Sequence, residues 1–179
     1  RAWERMYCGS RGDLALSRGR SFPDVARRGP RVAAIGAIDT ALWDLAGKAH
    51  GVPVVELLGG ACHDRLPAYA SGGWADAEGI GAELQRFVDL GFGAVKMRVG
   101  AMDRRVETSA ARILAAREAL GPGIELMIDA HGTCSLPEAK RLMRLVESAN
   151  LRWFEEPTPL DDHAAAAELR ATTDVPIAV

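Results

Sequence analysis

A chain of 179 residues, 48% apolar and 26% charged with a formal net charge of −2, is long enough for one sizeable core or a domain and a half. That balance gives no reason to expect nucleic acid or an anionic membrane as partner, and no apolar run approaches the roughly 20 residues that cross a bilayer. Cys8, Cys62 and Cys134 are widely spaced and odd in number, which suits free thiols in a reducing cytoplasm better than a disulfide framework or a metal site.

Residues Arg1 to Cys8 read as the last turns of a helix stopped by Gly9. Their start is not a signal peptide and lacks an initiator Met, so the first residue is not expected to be the natural one. Ser10 to Pro30 is rich in Arg, Gly and Ser and reads as a surface connection with a short helix around Asp24 to Arg28. Its arginines read as a solvated face, because no aromatic residues interleave with them. Val32 to His50 predicts a helix, with Ile35, Ile38, Leu42 and Leu45 at helical spacing and Gly51 as its stop before Pro53. Val54 to Leu58 predicts a short apolar turn closing at Gly59-Gly60.

After Arg65 the pattern repeats. Strands are predicted at Leu66 to Ser71, Ala94 to Val99, Ile124 to Ala130, Leu151 to Glu156 and from Pro176 to Val179. Helices are predicted between them at Ala77 to Leu90, Asp103 to Leu120, Leu136 to Ser148 and Asp161 to Thr172, the second burying Val106, Ile113, Leu114 and Leu120. Such alternation means parallel strands joined by right-handed crossovers, so all strand ends point one way. The charges that close three of the strands must then converge.

Lys96 and Arg98, two apart on a strand, share a face. They are either a solvated pair on an exposed edge or an interior pair that needs an anion between or before them. Asp129 and Glu155 end the next two strands and could hold a divalent cation, or could simply cap the helices that follow. His131, two beyond Asp129, is either a general acid at the same mouth or a loop histidine bonded to backbone. Glu156 should point away from Glu155's side, because strand neighbours alternate. His50, His63 and His163 look like surface or helix-end residues, and Cys134 lacks a base partner that would make it a nucleophile.

The run Ala37-Ile38-Asp39-Thr40-Ala41-Leu42-Trp43-Asp44-Leu45-Ala46-Gly47-Lys48, followed by Val52-Pro53-Val54-Val55-Glu56-Leu57-Leu58-Gly59-Gly60, resembles the signature segment of the mandelate racemase and muconate lactonizing enzymes in the enolase superfamily. Gly91 to Arg98 resembles the family's Lys-X-Lys strand, with Arg98 in place of the second lysine. Because Arg stays protonated, Arg98 is a poor base and suits clamping a carboxylate or stabilising an enolate. The resemblance implies an α/β fold: the first part of a modified (β/α)8 TIM-type barrel in residues 61–179, preceded in residues 1–60 by the C-terminal helical part of an α+β capping domain. Asp39 and Asp44 would be structural there.

The resemblance further implies Mg²⁺, with Asp129 and Glu155 as its first two carboxylate ligands and a third just past Val179, and Lys96, Arg98 and His131 as catalytic residues. The expected reaction is abstraction of a proton alpha to a carboxylate to give a metal-stabilised enolate. Asp-X-His, as in Asp129 to His131, is similar to the pattern in acid-sugar dehydratases of the superfamily, where the His is general acid. A hydro-lyase acting on a sugar acid is therefore expected, with a racemase, epimerase or cycloisomerase as the alternative outcome. The resemblance also admits a homo-oligomer. Five strands where such a barrel needs about eight in roughly 250 residues would leave an unpaired apolar edge, so the sequence is expected to be part of a longer polypeptide. An inactive folded module is the other expectation if Val179 is the true terminus.

Overall fold

A computed structural model describes residues 30–160 and 162–179, with the side chains of residues 30 and 31 excepted. The helix expected before Gly9 and the connection expected up to residue 29 lie outside the described residues. The chain divides into two compact units, the first ending at Leu66 and the second running Pro67–Val179.

In the first unit, helix α1 spans Pro30–His50. Its alanines favour the helix, and Lys48 pairs with Asp44 one turn earlier at 2.6 Å. Gly51, at φ 69°, takes the left-handed conformation that stops the helix. Ile35 is buried, whereas Ile38, Leu42 and Leu45 of the same stripe are exposed. The short apolar turn expected after Pro53 is a four-residue helix, α2, Val54–Leu57.

The second unit is a five-stranded parallel sheet in the order β1-β2-β3-β4-β5, with strands Ala70–Gly72, Ala94–Arg98, Glu125–Asp129, Leu151–Glu155 and Ile177–Ala178. Helices α3 (Ile80–Asp89), α4 (Val106–Leu120), α5 (Leu136–Leu145) and α6 (His163–Arg170) make the crossovers. The expected α/β class and barrel-type strand order are thus observed. Each helix is shorter than the pattern suggested because polar turns claim its ends. Asp76 accepts the Gly79 N–H at 3.0 Å ahead of α3, and 3₁₀ turns at Ala101–Asp103 and Glu147–Ala149 flank α4 and α5. Strand β1 begins at Ala70 and not at Leu66, whose side chain is exposed.

One sheet face packs on the helices. Val95, Met97, Leu126, Ile128 and Phe154 meet Leu84, Ile113 and Leu142 with no exposed surface at most of these positions, each large side chain contributing about 1.5–3 kcal/mol. Leu114, expected in that layer, is exposed; it lies one position round the helix from Ile113, and Ala110 and Ala116 take the contact instead. Met127 is fully buried yet lies outside the helix-side core, which puts it on the opposite, polar face. Between β3 and β4 the register shifts: Leu126 pairs with Leu151, but Ile128 pairs with Phe154. This bulge adds one residue to β4.

Candidate active site

The second face of the sheet carries the charges. Arg98, Asp129 and Glu155 stand in one cross-strand row at the C-terminal ends of β2, β3 and β4, and Lys96 lies one pleat behind Arg98. The Lys96 ammonium is 2.5 Å from Glu155 Oε1 and 3.3 Å from Asp129 Oδ2. Burial alone would lower its pKa, but the two carboxylates outweigh that and hold it above the ordinary lysine value. Arg98 Nη1 is 3.5 Å from Asp129 Oδ1. The cations are therefore interior and neutralised by carboxylates, not solvated on an edge. Nor do the two acids cap helices: Ser135 precedes α5, its backbone N–H and hydroxyl both donating to the Glu138 carboxylate, and Asp162 accepts the Ala165 N–H at the start of α6.

His131 is held beside this row. Its backbone N–H donates to Asp129 Oδ1 at 2.9 Å, and its Nδ1 faces two carboxylates, Glu156 Oε2 at 3.6 Å and Asp129 Oδ1 at 3.9 Å. Glu156 corrects an expectation. At φ 41° its backbone leaves the strand conformation, so alternation fails there and its carboxylate turns towards Asp129 and His131 instead of away. One ligand atom from each of Asp129, His131 and Glu156 lies within 4.8 Å of the others.

These groups fit a hard divalent cation. The Lys96 ammonium shows that carboxylate oxygens of Asp129 and Glu155 can close on a single positive charge, and oxygen donors suit Mg²⁺ or Ca²⁺ better than the imidazole nitrogen does. Glu155 is engaged by Lys96 and by the Trp153 indole, whose Nε1 donates to Oε2 at 3.1 Å.

Three aromatic residues were not singled out from sequence. Tyr69 lies 5.6 Å from Lys96 Nζ, Trp74 lies 5.5 Å from the Arg98 guanidinium carbon, and Tyr69 packs edge-on to Trp153 at 5.3 Å. Each cation of β2 thus sits over a ring supplied from one end of β1. The available signal was an aromatic residue inside the first predicted strand, Tyr69, and another three residues past its end, Trp74. A hollow of about 670 Å³ opens by Glu125 and Leu151 towards the other strand ends; its lining reaches Trp153 and Ala178 beside Glu155 but includes none of Lys96, Arg98, Asp129 and Glu155.

His50, His63 and His163 are exposed, as expected. Cys134 is buried and its thiol is pushed up to about 11, first by burial and then by Glu138 and Asp103. It is therefore a neutral, inert thiol at physiological pH. Maleimide at pH 7.5 should label exposed Cys62 in the folded protein and leave Cys134 unlabelled until denaturant is added, as read by peptide mass mapping. Because the folded pKa is raised, the stability that this thiol contributes is complete below about 9 and lost as pH rises towards 11.

Residues 79–179 match the family described as enolase C-terminal domain-like, and residues 21–59 match the mandelate racemase/muconate lactonizing enzyme N-terminal domain. The chain belongs to the mandelate racemase/muconate lactonizing enzyme family of the enolase superfamily. Within that family it is 35% identical over 180 residues to an arabinonate dehydratase from Saccharolobus solfataricus, covering 98% of this chain and 44% of the relative. It is 37% identical to a D-galactonate dehydratase from Xanthomonas oryzae pv. oryzae, covering 82% and 40%. Among solved structures, the 3,6-anhydro-D-galactonate cycloisomerase from Zobellia galactanivorans superposes with a TM-score of 0.81 at 36% identity, covering 98% of this chain and 45% of that one. The chain therefore spans somewhat under half the length of these relatives. Among the described residues no helix is long and apolar enough to cross a membrane.

Proposed function

We propose that this protein is a Mg²⁺-dependent hydro-lyase that dehydrates a sugar acid to a 2-keto-3-deoxy acid. The observation that carries this reading is the convergence of Lys96, Asp129 and Glu155 at one mouth of the sheet with His131 beside them. The dehydratase names of two relatives supply the substrate class. Bound at Asp129 and Glu155, Mg²⁺ would supply fixed positive charge where the substrate carboxylate gathers negative charge on losing its alpha proton.

The protein side chains divide the rest of the work. Arg98, permanently charged and partly accessible at the mouth, holds the substrate carboxylate. Lys96 is an ammonium while both carboxylates face it; it can accept the alpha proton only when Asp129 and Glu155 are drawn to another cation. The C–H electron pair passes first into the substrate carboxylate as an enolate, and its return forms the carbon–carbon double bond as the C–O bond at the neighbouring carbon breaks. His131 delivers a proton to the departing hydroxyl, so water leaves, and the enol becomes the 2-keto acid. Incubation of the natural polypeptide with a sugar-acid panel that includes D-galactonate and arabinonate, with and without Mg²⁺, should give 2-keto-3-deoxy products only with metal. No turnover of any member would sink this reading.

A second outcome of the same proton abstraction is favoured by the cycloisomerase among the structural relatives. His131→Asn separates them. It should spare exchange of the alpha proton with deuterated solvent, read by NMR, and lower elimination by at least about a hundredfold. Undiminished elimination would show that another group is the acid.

A further inference from the structure

Trp74 is a large, 60% exposed indole, and its backbone is fixed far more firmly than a surface side chain requires. The Glu83 carboxylate accepts three successive backbone N–H groups, from Gly73 at 3.2 Å, Trp74 at 2.9 Å and Ala75 at 2.7 Å. From the other side, the fully buried Arg112 guanidinium donates to the carbonyls of Gly73 at 2.9 Å and Ala75 at 2.7 Å. Gly73 itself sits at φ 81°, and a Cβ there would come within 2.6 Å of Met97 Cβ, so this approach of loop to strand needs glycine. Arg112 also donates to the Arg98 carbonyl at 2.8 Å. One buried cation therefore fixes the backbones of both partners in the Trp74–Arg98 pair.

Burial in the helix-side core cannot explain this anchoring, because the indole lies on the open side against the Arg98 guanidinium. A guanidinium beside a rigid aromatic face matches a ligand with an anionic end and a run of C–H groups, which is the surface of an open-chain polyhydroxy carboxylate. Fixing the loop beforehand removes the ordering cost from the binding step.

We propose that Trp74 is a substrate-contacting specificity residue: its indole face receives the C–H face of a polyhydroxy carboxylate whose carboxylate meets Arg98, with Glu83 and Arg112 as positioning residues. This rests on the dehydratase reading above and deepens it. Trp74 contributes to substrate binding without touching the reacting atoms, so its loss acts on KM more than on kcat.

The test uses the full-length polypeptide with Mg²⁺ and D-galactonate or arabinonate, whichever the wild type turns over. Trp74→Ala should raise KM about tenfold with kcat changed less than about twofold, and Trp74→Phe should raise KM less than about threefold. The change in tryptophan fluorescence on titrating the sugar acid should be at least halved in Trp74→Phe, the remainder coming from Trp153 beside Glu155, a binding signal that does not depend on turnover. Glu83→Gln should raise KM in the wild-type background and add nothing in the Trp74→Ala background, because it acts through the same indole. Unchanged KM in Trp74→Ala, or independent addition of the two effects, overturns the role of Trp74 while leaving the dehydratase intact. A wild type that turns over and binds neither acid overturns the dehydratase reading, and this inference with it.

Discussion

Asp129→Asn is expected to remove turnover of the sugar acid by at least about a thousandfold and to remove the heat of Mg²⁺ binding in a calorimetric titration. Asp129 is the common partner of the row: it faces Lys96 at 3.3 Å and Arg98 at 3.5 Å and accepts the His131 N–H at 2.9 Å. Asparagine keeps the shape and an oxygen for that N–H but loses the charge. Two buried or half-buried cations then have Glu155 alone as counter-charge, and a divalent ion would meet one carboxylate fewer among excess positive charge. An unchanged far-ultraviolet circular dichroism spectrum would show that the fold survives. Retained Mg²⁺ binding in the variant would place the metal elsewhere and remove Asp129 from its shell.

The second large effect is on stability. Arg112→Met should cost about 3–5 kcal/mol in urea unfolding, the usual size when one partner of a buried ion pair is removed. Arg112 Nη1 lies 2.9 Å from Asp103 Oδ1, with both side chains almost wholly buried, and Ser109 donates to Asp103 Oδ2 at 2.6 Å. Methionine fills the space but leaves Asp103 with a hydroxyl as its remaining side-chain partner, and frees the carbonyls of Gly73, Ala75 and Arg98. Adding Asp103→Asn should restore part of the loss, because the unpaired charge is then gone. A loss below about 1 kcal/mol for Arg112→Met would show that water reaches the site and that the pair is not sealed.

The order of strands and helices was legible because each element must bury one face, and that requirement writes its period into the chain. Lys96, Arg98, Asp129 and Glu155 were legible for a related reason: charges that close apolar runs in parallel strands have one mouth to share. Other parts left no such trace. Arg112 carries the same letter as any solvated helix arginine, and its burial follows from two carbonyls of the loop after β1, one of β2 and the carboxylate of a 3₁₀ turn, which no local pattern brings together. Glu156 was placed on the wrong side because a left-handed backbone at φ 41° breaks the alternation from which its direction was read. Leu114 was assigned to the core because apolar residues were counted without regard to which side of the helix alanines had already filled.

The irregularity between β3 and β4 sets which way Glu155 faces. From Leu126 to Ile128 the chain advances two residues, while its neighbour advances three, from Leu151 to Phe154. Counted in strict twos, Glu155 would fall on the side of Leu151, among side chains that touch α4 and α5. The odd step reverses that parity and delivers the carboxylate to Lys96. Straightening β4 at its full length would thus exchange polar for greasy surroundings around this acid, whereas subtracting a single peptide unit at Arg152 or Trp153 would remove the irregularity and leave the acid where it is by plain alternation. The turn at Glu147–Ala149, outside the ladder, carries no such arithmetic.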